Sequence, residues 1–265
     1  MEMTATMPAA VVPRGAGGRA VWVMWLRQMK RFSRSRTRIF ASIAQPLLFL
    51  LAFGFGFGAV FRQAGQGDYI QFLAPGIIAM SIMFTAVFSG MEVIWDRQFG
   101  FLKETLVAPV PRTGIMLGRT LGGATVAVLQ GLLVLVITLV VGFRPDNWAL
   151  VPVAVLAMAL IAVMFTAFGT AMAVRLRDMQ GFQLIINFLV MPIFFLSGAL
   201  FPLSGLPDVM SWIVAVNPLT YGIDAVRGLL IGTSHYSLWL DFAVMLVVAG
   251  GLVAIGAALF RKIEA

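Results

Sequence analysis

The feature that most constrains this chain is a series of six long intervals without a single charged residue. They cover residues 39–61, 69–91, 120–143, 147–174, 179–207 and 242–260. A helix needs about 20 apolar residues to cross roughly 30 Å of hydrocarbon, and a helix satisfies all of its backbone hydrogen bonds internally. The pattern therefore predicts an all-α polytopic membrane protein with six transmembrane helices, at about 39–61, 69–91, 120–143, 150–174, 182–203 and 242–260.

Two shorter apolar stretches lie between the fifth and sixth spans, at residues 209–223 and 228–240. Both fall below the length that a span needs, so re-entrant or interfacial helices are predicted there. If they crossed the membrane after all, the count would be seven or eight spans.

The distribution of basic residues predicts the orientation. With six spans both termini share one side, and 16 of the 19 Lys and Arg residues fall on that side or at its membrane border. By the positive-inside rule this side is the cytoplasm. The chain is thus predicted to be a multi-pass protein of the inner (plasma) membrane with cytoplasmic termini. The net charge of +8 then reflects topology, and no nucleic-acid partner is expected.

The N-terminal region divides in two. Residues 1–19 contain no apolar run and are predicted to be disordered, whereas residues 20–265 are predicted to form one membrane domain. Trp22 and Trp25 alternate with Arg27, Lys30 and Arg31 at helical spacing, which is typical of a helix lying in the headgroup layer of the bilayer. The alternative is a basic flank without such a helix.

The chain shows no energy source of its own. No Gly-Lys dipeptide occurs, so a Walker A motif is excluded. The six intervals contain no ionisable residue that could bind a coupling ion at membrane depth. With no cysteine and one histidine, no metal site is expected, and no cofactor is predicted in this chain. Either a partner supplies energy or the protein is a passive pore.

Two groups of aromatic and neutral polar residues in the spans are candidates for a substrate path. Span two contains Phe84, Thr85 and Phe88, and span five contains the set Asn187, Phe188, Phe194 and Phe195. Such a lining suits an amphiphilic ligand. The alternative is hydrogen bonding between helices and phenylalanines that face lipid.

Closely spaced glycines suggest close helix packing at two places. One is the GFGFG stretch from Gly54 to Gly58, and the other is the pair Gly118 and Gly122. They could form a dimer seam or pack within one subunit.

A charged segment between spans two and three is predicted to form one amphipathic helix. It runs from Glu92 to Leu106, carries Trp95, Phe99, Leu102 and Leu106 on one side, and ends before Pro109 and Pro111. The segment is far longer than a simple turn requires, so its apolar side needs a partner surface.

This segment, DRQFGFLKETLVAPVPRTGIMLGR, resembles the intracellular motif of type 2 ABC-transporter permeases of the drug or polysaccharide export type. The matching positions are Arg97, Gly100, Glu104, Leu106, Pro109, Arg112, Gly118 and Arg119, with Val107 in place of a second leucine. The later stretch NPLTYGIDAVRGLLIG, Asn217 to Gly232, is similar to the second signature of the same family.

The resemblance implies an exporter whose energy comes from a separate ATPase subunit, which would bind the ATP and Mg²⁺, and whose second permease subunit is an identical or a sister chain. The chain itself would not be an enzyme. We expect ATPase docking by a coupling helix with Asp96, Arg97, Phe99, Gly100, Phe101, Leu102, Lys103 and Glu104. The substrate would be a drug, a lipid or a glycan-linked molecule. A passive channel or membrane scaffold without an ATPase is the alternative.

The second signature implies a re-entrant helix near the outer face. Asn217 is a suitable N-cap, Pro218 a suitable first residue, and Gly232 a suitable C-terminal stop. Asp224 and Arg227 are three residues apart and could pair on one face of that helix. The alternative is a solvated surface pair that contributes little.

Overall fold

The computed structural model describes residues 16–65, 67–107, 110–176 and 178–261, without the side chains of residues 16, 36–39, 41, 103 and 106. All of the longer regular elements in these ranges are α-helices, which confirms the predicted all-α class. In chain order they are α1 (Ala16–Arg34), α2 (Arg36–Gln63), α3 (Tyr69–Ser89), α4 (Met91–Gln98), α5 (Phe101–Val107), α6 (Arg112–Val141), α7 (Val151–Arg175), α8 (Met179–Phe195), α9 (Asp208–Val216), α10 (Pro218–Ile231) and α11 (Leu238–Arg261). A short 3₁₀ helix, Trp148–Leu150, precedes α7.

Five helical stretches are long and apolar enough to cross a membrane: Ser42–Gln63, Tyr69–Gln98, Arg112–Val141, Trp148–Arg175 and Leu238–Arg261. The chain is therefore a polytopic membrane protein, as predicted. A sixth span is reached if α9 and α10, which meet at an angle of 85°, count as one broken span or re-entrant loop.

The predicted fifth span is shorter than expected. Its helix, α8, has 17 residues and ends at Phe195 instead of near residue 203. The chain after Phe195 turns instead of continuing, because Gly198 adopts a positive φ of 73° that a helix cannot contain. By length alone α8 falls just below the requirement of about 20 residues.

Helix α3 occupies the centre of the bundle, and α2, α6, α7 and α10 pack around it. At its end α3 crosses α7 backbone to backbone. A Cβ atom on Gly90 would collide with the backbone of Gly169, and one on Gly169 would collide with the carbonyl of Val87. Only glycine pairs permit this approach, and it holds the end of α3 firmly against α7.

Helix α1 packs along the first half of α6. Gly114, Gly118 and Gly122 form a stripe of small residues on α6, and the side chains and backbone of α1 fill the space over it. Part of the apolar side of α1, including Trp25, therefore contacts protein, whereas Trp22 stays exposed, and the Gly118–Gly122 pair packs within one subunit. Because of this contact α1 is already helical at Ala16, inside the segment predicted to be disordered; residues 1–15 lie outside the described ranges.

The bundle has two faces that we name from their contacts. The terminal face contains Gly17, Pro111 and Arg261. Gly17 lies against Pro111, and Arg112, the next residue, donates to the Arg261 carbonyl. The opposite face contains the amino end of α3 and the segment after α10, where Asp146 donates its backbone N–H to the Leu230 carbonyl.

Candidate functional site

The segment between α3 and α6 at the terminal face is built from two helices instead of the predicted single one. Gly90 keeps a helical backbone, so α3 and α4 form one continuous stretch, Tyr69–Gln98, of 30 residues. The chain then turns at Gly100, which adopts a φ of 81°, and α5 follows from Phe101. A positive φ is accessible to glycine at little cost, and it ends the helix here.

Asp96 anchors the base of this segment and does not face outward as predicted for a docking residue. Its side chain is 3% exposed. One carboxylate oxygen accepts from Arg27 of α1 at 2.6 Å, and the other accepts from Arg119 of α6. Arg119 is itself buried. The carboxylate thus joins three helices through charge-assisted hydrogen bonds, which are among the stronger polar contacts in proteins.

Arg97 holds the same base to α7. Its guanidinium donates to the carbonyl of Leu176 at 3.0 Å and to that of Val174 at 3.2 Å. These carbonyls lie at the end of α7, where no further turn of helix supplies donors, and a cation is favourable at that end of the helix dipole. Asp96 and Arg97 together fix α4 to α1, α6 and α7.

Beyond this base the segment exposes a cluster of apolar side chains. Phe99 is 69% exposed, Phe101 52% and Val107 85%, and Glu104 is exposed beside them. Leu102, in contrast, is 1% exposed and packs inward. The predicted apolar side therefore does not form one surface. Leu102 points into the bundle, Phe99 and Phe101 point away, and the Lys103 and Leu106 side chains and Pro109 lie outside the described residues.

The first group of predicted substrate-path residues lines a small internal cavity. Phe84, Thr85 and Phe88 border a space of about 190 Å³ between α2, α3 and α6. Ser42, Gln45 and Gln130 add polar groups, and the Ser42 hydroxyl donates to the Gln130 amide oxygen at 2.9 Å. The buried Gln130 amide nitrogen has no hydrogen-bond partner among the described residues.

The second group lies elsewhere on the subunit and does not line that cavity. Phe194 is buried and packs edge-on against Phe49 of α2 at 6.3 Å between ring centroids. Phe188 is 80% exposed, Phe195 is also exposed, and Asn187 is half-buried. Within one subunit, therefore, the structure does not bring the two groups together.

At the opposite face the second motif forms α10. The Asn217 side chain accepts from the Leu219 N–H at 3.0 Å, Pro218 is the first helical residue, and Gly232 ends the helix with a φ of 67°. Asn217 also donates to the Ile193 carbonyl at 2.6 Å, which ties α10 to α8.

Asp224 and Arg227 are both buried, contrary to the solvated alternative, and they form no ion pair with each other. The Asp224 carboxylate accepts from the backbone N–H groups of His235 at 2.8 Å and Tyr236 at 2.7 Å. Arg227 donates to the Gly198 carbonyl at 3.0 Å, and its guanidinium lies 4.0 Å from the centre of the Phe72 ring. Backbone groups and an aromatic face replace the predicted partner.

Asp241 is a buried charge that the sequence analysis used only as the limit of the last span. It lies in the first turn of α11 and is fully buried. Neither carboxylate oxygen has a hydrogen-bond donor within reach among the residues that the structure describes. The sequence offered no signal for this burial, since Asp68, Asp146 and Asp178 border apolar intervals in the same way.

Comparison with known proteins assigns the family. Residues 19–231, most of the chain, match the ABC-2 type transporter family. The chain belongs to the ABC-2 type transporter family. This confirms the resemblance to type 2 ABC permeases, and the matched residues include the first motif and all of the second except Gly232.

This ABC-2 permease has curated relatives across nearly its whole length. It is 29% identical over 228 residues to the inner membrane transport permease YadH of Escherichia coli (strain K12), which covers 84% of this chain and 88% of YadH. It is also 29% identical over 220 residues to nodulation protein J of Rhizobium leguminosarum bv. trifolii, covering 82% and 83% of the two chains. The ABC-2 permease described here is thus a membrane component of an ABC transporter.

Proposed function

We propose that this ABC-2 permease is the membrane subunit of an ATP-driven exporter and that a separate ABC ATPase docks on the segment Phe99 to Val107, the docking segment. The observation that carries the proposal is an exposed apolar cluster on a rigid base. Phe99, Phe101 and Val107 expose apolar surface next to Glu104, whereas Asp96 and Arg97 fix the preceding helix to the bundle.

Exposed aromatic residues clustered at a turn are typical of surfaces that bind another protein. Glu104 adds a negative charge, which favours a partner with a complementary positive surface. Of the residues predicted to dock, Phe99, Phe101 and Glu104 are accessible for this role. Asp96, Arg97 and Leu102 instead hold the docking segment in place.

The connection to the spans supports energy coupling. Because α4 continues directly from α3, a displacement of the docking segment acts on the central helix of the bundle. Because α6 begins at Arg112, shortly after α5, it acts on that span as well. ATP binding and hydrolysis in the partner subunit would supply the displacement, and this chain would perform no chemistry itself.

The terminal face is the cytoplasmic face in this proposal. The sequence predicts that 16 of the 19 Lys and Arg residues fall on the side of the two termini, and by the positive-inside rule that side is the cytoplasm. The ATPase would therefore meet the docking segment inside the cell, and α10 would lie near the outer surface of the inner membrane.

A second permease subunit completes the path in this proposal. Phe55, Gly56 and Phe57 of α2 are exposed, so this part of the GFGFG stretch is open to a partner, whereas Gly54 is buried against Ile70. Phe188 and Phe195 of α8 are exposed too. Two such surfaces facing each other would enclose an apolar path with neutral polar groups, suited to an amphiphilic drug, lipid or glycan-linked substrate.

The test measures ATPase capture, stimulated ATP hydrolysis and export for the same set of variants. Glu104→Arg and Phe101→Ala should each reduce capture of the co-expressed ABC ATPase and its stimulated ATP hydrolysis by at least about tenfold, since interface anchors are worth about 2 kcal/mol or more. Asp208→Arg, which changes an exposed acidic residue of α9, is the matched control and should have no effect. Full ATP-dependent export by Glu104→Arg would refute docking at this segment. Substrate flux through the chain without any ATPase would favour a passive channel.

A further inference from the structure

A second surface at the terminal face is a groove of about 1290 Å³ between α1 and the residues Trp95 to Phe101. Four cations of α1 line it: Arg27, Lys30, Arg31 and Arg34. Their spacing of three and four residues places them on one side of the helix. The groove thus has one strongly basic wall, on the side of α1 that does not pack on α6.

Two of these cations are compensated by carboxylates and two are not. Arg27 pairs with Asp96, and Arg31 lies 3.7 Å from a Glu92 oxygen with its guanidinium 5.2 Å from the centre of the Trp95 ring. Lys30 and Arg34 are exposed, and no described carboxylate pairs with either. The groove therefore presents two free positive charges one helical turn apart.

Apart from Ser35 and Asp96, whose carboxylate is held by Arg27 and Arg119, the remaining lining is apolar and aromatic. Val23, Leu26 and Met179 supply aliphatic and thioether surface, and Trp95, Phe99 and Phe101 supply rings. Tryptophan is typical of the membrane–water boundary, and Trp95 in the groove and Trp22 elsewhere on α1 are both exposed. A basic wall beside apolar surface at this depth is complementary to a molecule with an anionic head and an apolar tail.

We propose that the groove is a binding site for the phosphate headgroup of an anionic phospholipid that resides in the leaflet at the terminal face. Lys30 and Arg34 hold the phosphate by charge-assisted hydrogen bonds, and the acyl chains lie against Leu26 and Met179. The bound lipid joins α1 to the edge of the docking segment. This site goes beyond the proposed function, since the lipid is a resident ligand and is not transported.

The first test measures lipid retention by the purified full chain. In nanodiscs or detergent with phosphatidylglycerol or phosphatidylcholine, native mass spectrometry should show preferential retention of phosphatidylglycerol. Lys30→Gln with Arg34→Gln should weaken it about 30-fold, because each cation near a membrane surface contributes about a fivefold gain in binding. Arg19→Gln, an exposed arginine of α1 outside the groove, is the control and should retain the lipid.

One further double variant distinguishes a loss of lipid binding from misfolding. Lys30→Arg with Arg34→Lys keeps both charges and should retain phosphatidylglycerol at the level of the natural chain. Equal retention of phosphatidylcholine, or equal retention by the double glutamine variant, would overturn the proposal. So would loss of lipid from the charge-preserving variant together with an unchanged melting temperature.

The second test separates a resident lipid from a transported one. In proteoliposomes with the ABC ATPase and ATP, labelled phosphatidylglycerol should stay in its leaflet. ATP-dependent movement to the other leaflet would overturn the resident assignment and make the groove a substrate entrance. The first test needs no ATPase, so failure of the ATPase to bind would contradict the proposed function and leave the lipid result standing.

Discussion

Asp96 and Asp224 are both buried aspartates at opposite faces of this ABC-2 permease, yet their charges are compensated in different ways. Asp96 accepts from two arginines, Arg27 and Arg119, on helices distant in sequence. Asp224 accepts from backbone N–H groups only 11 and 12 residues further along the chain. The first arrangement joins helices, and the second shapes a loop.

The difference follows from what each face must do. At the terminal face the ion pairs connect α1, α4 and α6 below the docking segment, so a displacement there moves several helices together. At the opposite face the loop after Gly232 folds back on α10, and the charge stabilises that local turn. Loss of Asp96 should therefore loosen the bundle, whereas loss of Asp224 should loosen mainly one loop.

The largest effect is expected from Asp96→Ala. It leaves Arg119 buried without its carboxylate, and breaking a buried pair from one side costs about 3–5 kcal/mol of the free energy of unfolding. Thermal unfolding in detergent should show a strongly lowered melting temperature, and hydrogen exchange should rise in α1, α4 and α6. The double change Asp96→Leu with Arg119→Leu should recover much of the loss. An unchanged melting temperature for Asp96→Ala would contradict the view that ion pairs join the helices at the terminal face more strongly than at the opposite face.

A smaller and more local effect is expected from Asp224→Ala. The His235 and Tyr236 N–H groups lose a charged acceptor, but this half-exposed loop can reach water, so the loss should be about 2 kcal/mol. Hydrogen exchange should accelerate at residues 232–237 while α1, α4 and α6 keep their protection. Asp224→Asn, which retains one acceptor oxygen, should lie between the natural chain and the alanine variant. Faster exchange throughout the bundle would contradict a local role.

Asp241→Asn should raise the free energy of unfolding, whereas the two preceding variants lower it. Among the described residues no donor reaches either oxygen of the enclosed natural carboxylate, and an unsatisfied buried polar group costs about 1–3 kcal/mol, more when it is charged. The amide fills the same volume without the charge, so the free energy of unfolding should rise by about 1 kcal/mol. Asp208→Asn, an exposed first-turn aspartate of α9, serves as the control. A lower melting temperature for Asp241→Asn would show that Asp241 has a partner in the membrane.

The smallest effect is expected from Arg31→Gln. Arg31 is half-exposed, pairs with Glu92 at 3.7 Å and lies over Trp95. An exposed cation–π contact contributes about 0.5 kcal/mol, and an exposed ion pair of this length contributes little and is screened by salt. The melting temperature should therefore fall slightly at low ionic strength and less at high salt. A loss as large as that for Asp96→Ala would show that Arg31 also belongs to the ion pairs that connect α1, α4 and α6.

Several elements could be predicted from the sequence because their causes are local. The five spans that correspond to α2, α3, α6, α7 and α11 follow from apolar length, and the caps of α10 follow from Asn217, Pro218 and Gly232. The end of α8 at Phe195 and the break at Gly100 were missed. Both depend on a glycine with positive φ within a stretch of otherwise helical composition, and the pattern of apolar residues does not report backbone conformation.

The roles of the charged residues were predicted less well. The sequence placed Asp96 on a docking surface and paired Asp224 with Arg227, since spacing along one helix shows which residues share a side. It does not show which other helix covers that side. Asp96 meets Arg27 and Arg119, which lie 69 and 23 residues away, so their contact depends on the packing of α1 on α6.

The sequence by itself determined the membrane character, the all-α class, the family and the expected orientation, because hydrocarbon imposes simple demands on length and charge. Only the tertiary structure decided which charges are buried, which aromatic side chains remain exposed, and that α1 covers α6. These depend on helix–helix contacts between distant segments, where a few glycines and a few ion pairs select one packing among many.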